Sequence, residues 1–465
     1  MRFDFGNKDT ICAPMTVPGR SSIAVVRVSG DRSLAIVREF CDFIPLKPES
    51  HTLSFGKFKI SDPDSESVLT KVVLDEVLVS FFMAGKSFTG EETIEISFHG
   101  NPVIVDQGIQ ALLSKGCRMA EPGEFSFRAF MNGKLDLSQV EAIHSAIFAK
   151  SAAAVQRSVA QLSGVLKNRM REIEDHVVWV LSRLEANLDF ANEDIEIESP
   201  TVILARLDKV IHEIKNLLKG YRSGQMVNQG IRVVLVGSPN VGKSSILNSL
   251  LGFSRALVSE IPGTTRDTVE GELFFNGHRF AFVDTAGIRL TEDEVESAGI
   301  ERSLDEIKKS DFVVMVEACG ERPVAPDPEM IGQMELKKVI RVVNKLDLLS
   351  DQEKVHQSGA NQDFLFLSTK TGEGVSELLQ RLCDSVKEDF ENLDNSGINE
   401  SRHFECFSLA LDHLQSARLH LANEVSPEFV LSDIQFALEK LFEISGKRFD
   451  DEVLDRVFKD FCLGK

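Results

Sequence analysis

The sequence predicts a multidomain protein in which an α+β domain is followed by a helical domain, and an α/β P-loop domain is inserted into the helical one. Three observations predict it. Short strand-like runs bounded by turn residues fill the first 132 positions; long segments of helical periodicity stand on both sides of a central stretch; and that stretch opens with an apolar strand running into a glycine-rich loop. At 465 residues with 43% hydrophobic side chains, the chain has material for a separate core in each domain.

Residues 1–132 carry SIAVVRVSG, DEVLVSFF and TIEISFHG, each closed by Gly, Pro or Ser or by a change of pattern, and read as an α+β domain. From Lys134 the period changes: Leu207, Val210, Ile211, Ile214, Leu217 and Leu218 recur at helical spacing with charges between them, so residues 133–230 form the first part of a helical domain. Residues 231–390 begin with the strand IRVVLVG and alternate strands with helices, as a doubly wound sheet requires. ENLDNSGINE, at 391–400, reads as a linker. The remainder of 391–465 returns to helical spacing in SLALDHLQSARLHLAN, SDIQFALEKLFEIS and DDEVLDRVFKDF, and is expected to pack with the earlier helices.

Composition narrows the function classes. Seven cysteines, an odd number with no C-x-x-C pair, suggest neither a disulfide framework nor a zinc site. The opening MRFDFGNKDT lacks the apolar core of a signal peptide, and no apolar run reaches membrane-spanning length, so the expected compartment is the cytoplasm, with no membrane contact. A net charge of −20 weakens non-specific attraction to polyanions, so any RNA contact must use a local basic patch or a partner. The single Trp and single Tyr carry no functional reading.

Directly after the first strand of the insert comes GSPNVGKSS, which fits G-x-x-x-x-G-K-S. Gly237 and Gly242 let the backbone curl so that N–H groups of Asn240, Val241, Gly242, Lys243, Ser244 and Ser245 face phosphate. Lys243 would reach the β and γ oxygens and Ser244 would hold Mg²⁺. Downstream, FAFVDTAGI closes a hairpin whose Asn276-Gly277 pair suits a type I′ turn, which sets Asp284, Thr285, Ala286 and Gly287 at a strand end on the magnesium and γ-phosphate side.

VIRVVNKLD and FLFLSTK each close a strand at the carboxyl edge, where nucleotide binds in such sheets. Asp347 can accept from guanine N1–H and N2–H₂, donors that adenine lacks there, so GTP is the expected nucleotide. Lys345 would cover the ring, Asn344 would brace the loop, and Ser368, Thr369 and Lys370 would form the turn near O6. The insert resembles the translation-factor-related, Ras-like GTPases across residues 231–390, with Thr369 in place of the usual Ala.

Many such GTPases place Gln after D-x-x-G to orient water, whereas here Ile288 follows. Glu292, Asp293, Glu294 and Glu296 are acidic candidates, and equally a solvated helix start. Positive charge between the β and γ phosphates can come from potassium: Asn240 offers one oxygen, and the loop SEIPGTTRD offers Ser259, Ile261 and Thr264, with Glu260, Pro262 and Gly263 shaping it and Thr265 on Mg²⁺.

Outside the insert, DTICAPMTVPGR, KSFTGEETIEISFHG, EPGEFSFRAFMNGKLDLSQVEAI and the terminal FCLGK resemble the tRNA-modifying GTPase family MnmE, also called TrmE, over essentially the whole chain. The resemblance implies an amino-terminal domain of folate-binding type that forms a homodimer and holds a tetrahydrofolate derivative through Arg27, Glu95, Lys134 and Lys465. It implies that Glu296 positions the attacking water and that Cys462 is functional. Ser21, Ser22 and Asn101 stand where the family has glycines, and Phe127 where it has a polar residue. By the same resemblance the chain hydrolyses GTP and, with the flavoprotein MnmG (GidA), modifies carbon 5 of wobble uridine 34 in tRNA. The alternatives are a ribosome-assembly GTPase, which would want a basic appendage, and a stand-alone folate-dependent aminomethyltransferase, which would leave the P-loop domain without a task.

Overall fold

The computed structural model describes residues 9–61, 71–189, 198–255, 271–284, 304–320, 331–332, 334, 337–349, 364–391, 398–458 and 461–465. They fall into two compact units. The first takes the chain up to His144, Gln161–Ile211 and Cys406–Lys465; the second takes Ser145–Ala160 and His212–Glu405. Among the described residues no helix is long and apolar enough to cross a membrane.

The first unit contains β1 (Thr10–Pro14), β2 (Ile23–Ser29), β3 (Thr52–Ser61), β4 (Lys71–Phe82), β5 (Thr93–His99) and β6 (Cys117–Met119) in the order β3-β4-β5-β2-β1-β6. All neighbours are antiparallel except β1 and β6. The three runs singled out above lie on β2, β4 and β5. Along β4, Val77, Val79 and Phe81 are buried while Glu76 and Leu78 are exposed, the period-2 alternation of a sheet with one covered face. Val26, Val28, Ile94 and Ile96 complete that face against Ile36, Ile109 and Leu112 of the helices Ser33–Arg38 and Pro102–Ser114. In the same unit the helix Val165–Asp189 packs on Pro427–Ser445, and buried Glu174 accepts from Ser445 Oγ at 3.2 Å and pairs with Lys447.

The second unit is a doubly wound sheet of β7 (Ile231–Val236), β8 (Gly271–Phe275), β9 (His278–Asp284), β10 (Phe312–Ala318), β11 (Lys338–Asn344) and β12 (Phe364–Phe366), ordered β12-β11-β10-β7-β9-β8. Only the β8–β9 hairpin is antiparallel. Its turn residues Asn276 and Gly277 have φ of 49° and 82°, as a type I′ bend demands. Because β7, β9 and β11 run parallel, Gly237, Asp284 and Asn344 all arrive at one edge.

Of the expected linker at 391–400, residues 392–397 lie outside the described residues, and its two ends are ordered. The helix Val375–Glu391 already includes its first residue, and Ile398 and Asn399 are buried. Asn399 Oδ1 accepts from Arg157 Nε and Nη2 at 3.1 and 2.7 Å, so a buried guanidinium holds Asn399 in place. Apolar content alone, low in this stretch, did not reveal that.

Candidate functional site

The P-loop follows β7 and opens the helix Lys243–Arg255. A Cβ on Gly237 would lie 2.2 Å from the Val316 carbonyl oxygen, and one on Gly242, at φ 97°, would lie 2.3 Å from Asn344 Nδ2. Both glycines are therefore obligatory for close approach of neighbouring backbone and side chain. Asn240 adopts φ 66°, a left-handed turn that helps curl the loop. Lys243 is buried, and its Nζ donates to the carbonyls of Gly237 at 2.7 Å and Ser238 at 3.0 Å. The ammonium thus sits inside the ring of the loop, while Ser244 and Ser245 are exposed at the helix start.

Asn344, at the end of β11, is 1% exposed. Its Nδ2 donates to Val241 O at 3.0 Å and its Oδ1 accepts from Thr369 N at 3.3 Å, joining the P-loop to the loop after β12. Lys345 takes φ 67°, which turns the chain into a short 3₁₀ segment, Leu346–Leu348. Asp347 Oδ1 accepts from Ser368 Oγ at 2.6 Å, and Lys370 Nζ stands 4.0 Å from Oδ2. The Ser368 hydroxyl helps orient the carboxylate, an arrangement suited to a planar two-donor edge. Burial, and then the Asp347 carboxylate, push the nearby Cys319 thiol up. Asp284 is in register with Leu235 at the end of β9. Ser259, Glu260, Ile261, Pro262, Gly263, Thr264, Thr265, Thr285, Ala286, Gly287 and Glu296 lie outside the described residues.

A second constellation sits in the first unit. Arg27 on β2 and Glu95 on β5 are register partners, and Arg27 donates Nε and Nη2 to Glu95 Oε1 at 3.0 and 2.7 Å. The guanidinium lies over the rings of Phe88 at 5.1 Å and Phe125 at 5.5 Å. Arg27 Nη1 is buried with no partner among the described residues. The carboxyl-terminal tail reaches this place: Gly464, at φ 91°, is so close to β1 that a Cβ would lie 2.4 Å from the Pro14 carbonyl oxygen. Burial, and then the charge of Arg27, hold the Lys465 ammonium below the usual lysine range, against the opposing pull of Glu95. Cys462 is exposed, and its carbonyl accepts from Gly123 N at 3.4 Å. Lys134 donates to Gly85 O at 2.9 Å, bracing the loop that carries Phe88.

The unusual residues are absorbed locally. Ser21 Oγ donates to Ile23 O, Ser22 O accepts from Gly100 N, Asn101 Oδ1 caps the helix Pro102–Ser114 by accepting from Val103 N, and Phe127 meets Phe458 edge-on at 5.6 Å.

Sequence reasoning missed one buried ionic network. Arg128 donates Nη2 to Asp9 at 2.7 Å and to Glu124 at 3.0 Å, and Nη1 to Glu91 at 3.2 Å, while Arg118 also holds Asp9 and Glu124. Burial opposes ionisation of Glu124, but its hydrogen bonds from Arg118, the Glu121 backbone and Arg128 hold the carboxyl below the ordinary range. The readable signal was Glu124 and Arg128 at i,i+4 on one short helix.

Residues 10–134 match the family model described as GTP-binding protein TrmE N-terminus, and residues 137–462 match the MnmE helical domain. The chain is 40% identical to the tRNA modification GTPase MnmE of Bdellovibrio bacteriovorus, over 99% of this chain and 98% of that protein. It is 38% identical to the protein of that name from Flavobacterium psychrophilum, over 98% of this chain and 99% of the other. Among solved structures, the FeoB G-domain of Methanococcus jannaschii covers 34% of this chain and 97% of its own, at 25% identity and a TM-score of 0.25. With two models matched in tandem and relatives of this identity spanning its whole length, the chain belongs to the tRNA modification GTPase MnmE family.

Proposed function

We propose that this protein hydrolyses GTP, with stimulation by potassium, and with the flavoprotein MnmG (GidA) uses the cycle to install an aminomethyl-type group at carbon 5 of wobble uridine 34 in tRNA. Family membership carries GTP hydrolysis in tRNA modification, since the relatives are themselves named tRNA modification GTPases. The observation that supports the nucleotide half best is the convergence of Lys243, Asn344 and Asp347 at one sheet edge. In this reading Lys243 exchanges its two loop carbonyls for phosphate oxygens, and Asp347 accepts from the guanine edge. Ser244 and Thr265 would hold Mg²⁺, and Asn240, Ser259, Ile261 and Thr264 would hold K⁺. Glu296 positions the attacking water, and charge stabilisation rather than covalent chemistry lowers the barrier.

A tetrahydrofolate derivative would supply the one-carbon unit. The residues around Arg27 fit such a group, because Nη1 is a buried donor in want of an acceptor and the guanidinium lies over two aromatic rings. Arg27 and Lys465 would hold anionic or carbonyl oxygens, Glu95 would accept from a pterin edge, Lys134 would steady the Phe88 loop, and Cys462 would stand at the rim. Homodimer formation is supported by Leu53 and Phe55, each 64% exposed, and Leu78 at 40%, on the outer face of the β3–β4 ribbon. The setting is the cytoplasm.

The test is GTP turnover by the purified chain in potassium against sodium, with its assembly state followed in a transition-state mimic. Faster turnover and pairing of P-loop domains only in potassium are expected; equal rates in the two salts would remove the cation from the mechanism.

A further inference from the structure

We propose that the inserted P-loop domain does not hinge where the chain enters it, and that the helices Ala152–Leu162 and Tyr221–Gln229 ride with it as a collar that passes nucleotide-driven motion on to the modification reaction. The inference rests on the GTP-driven cycle above. An inserted domain is expected to turn about residues in its connections that can absorb a dihedral change. Gly230, between Tyr221–Gln229 and β7, is equipped for that, with φ 87° and ψ 160°. It is nevertheless buried and closed off: a Cβ there would lie 3.1 Å from Arg279 Cγ, and Arg279 Nη1 donates to the Gln229 carbonyl at 2.8 Å. Glu272 holds Arg279 in turn, accepting from Nε at 3.2 Å and from Nη2, and Lys150 Nζ stands 3.4 Å from the same carboxylate. The hairpin that supplies Glu272 and Arg279 lies in sequence between SEIPGTTRD and DTAGI, the segments expected to meet nucleotide.

The entry helix Tyr221–Gln229 is fastened along its length. Met226 is buried in the core of the P-loop sheet with Ile231, Val233 and Leu250. Val227 O accepts from Ser151 Oγ at 3.4 Å, and that hydroxyl also accepts from Ala154 N at 3.1 Å at the start of Ala152–Leu162. Gly224 faces Arg157, so that a Cβ would lie 2.6 Å from Nη2 and 3.1 Å from the Ile398 carbonyl oxygen. The Tyr221 ring stacks on Phe404 at 4.4 Å, and Arg222 Nε stands 3.9 Å from Asp311 Oδ1 just before β10. Through its bonds to Asn399, Arg157 thus gathers Ala152–Leu162, the entry helix and two residues of the exit side around one buried guanidinium. All of these residues belong to the second unit. Apolar contacts alone let helices slide, whereas directed bonds from a planar guanidinium fix their angle.

Packing alone and coupling agree that losing these contacts lowers stability; they part on motion and on turnover. Spin labels on Gln156→Cys and Ser376→Cys, both exposed, read the distance between collar and insert. The background is Cys462→Ser, since the other cysteines are buried, and labelled chain is diluted into unlabelled chain so that pairs within one chain dominate. The same distance distribution is expected with GDP and with GDP plus aluminium fluoride in potassium; a shift between the two states places a hinge at the entry and overturns the proposal. Asn399→Ala takes the acceptor from Arg157 and is expected to broaden the distribution. It should lower modified uridine in complemented cells about fivefold or more, while GTP turnover by the purified chain keeps its parent kcat and KM. Gly224→Ala is the second variant: alanine is the better helix former, so uncoupling there comes from the collision with Arg157 and not from a weakened helix. Parent-like modification in both variants overturns the proposal, as does turnover that falls in step with modification. A parent chain that hydrolyses no GTP would instead sink the cycle itself.

Discussion

Asn344 donates its side-chain amide to the main-chain carbonyl of Val241 at 3.0 Å, so a residue at the end of β11 holds the P-loop in shape. The same carboxamide accepts from Thr369 N, which makes it the junction of three loops. Asn344→Ala strands the buried Val241 carbonyl and frees the part-buried Thr369 N–H, at a cost of about 1–3 kcal/mol, or roughly 5- to 150-fold in an equilibrium constant. Titration with a fluorescent guanine nucleotide should show a loss of affinity in that range with the fold intact; parent-like affinity would contradict the bracing role.

Base preference should follow the chemistry of residue 347. Asp347→Asn replaces two acceptor oxygens by one acceptor and one donor, a match for xanthine, which carries a carbonyl where guanine has its amine. GTP affinity is expected to fall at least about a hundredfold while xanthosine triphosphate gains, because Ser368 can still orient the amide oxygen. Competition binding with the two nucleotides checks this, and an unchanged preference would place guanine elsewhere.

Tail docking should be separable from nucleotide turnover. Gly464→Ala adds a Cβ only 2.4 Å from the Pro14 carbonyl oxygen at a φ of 91°, so the tail must leave its seat. Modified uridine in complemented cells is expected to drop severalfold or more, with GTP hydrolysis retained. Cys462→Ser keeps the seat and removes only the thiol, so full modification by that variant would assign the tail's role to Lys465 and the backbone.

Acid should attack the ionic network first. Burial raises the carboxyls of Asp9 and Glu124, but Arg118 and Arg128 outweigh it and hold both below their ordinary values of 3.8 and 4.5. A depressed folded-state value contributes stability that is complete above the unfolded value and lost as pH falls through the folded one. Unfolding temperature should therefore be level above about pH 5 and fall steeply below about pH 4. At neutral pH, Arg128→Met takes the guanidinium from Glu91 while Arg118 still holds Asp9 and Glu124, an expected cost of about 1–3 kcal/mol in urea titration.

The motif-borne half of the protein was readable because its chemistry is local. GSPNVGKSS and NKLD encode backbone turns and side-chain types within a few residues, and Asn276-Gly277 encodes its own turn. The α/β insert followed from periodicity, while β1 and β6, at five and three residues, were too short to carry a period-2 signal, and β3 was obscured by Lys57 and Lys59. Within 391–400, the part played by Asn399 was not legible, because its acceptor role toward a buried arginine depends on a residue 242 positions away.

By itself the sequence determined the fold class, the P-loop and the family, since each depends on residue types at short, fixed spacing. Tertiary structure alone decided why Gly242 tolerates no side chain, which carboxylate Arg27 faces, and where the tail rests. Those contacts join Gly242 to Asn344, Arg27 to Glu95 and Gly464 to Pro14. Such meetings are dictated by strand order and close packing, which no local pattern records.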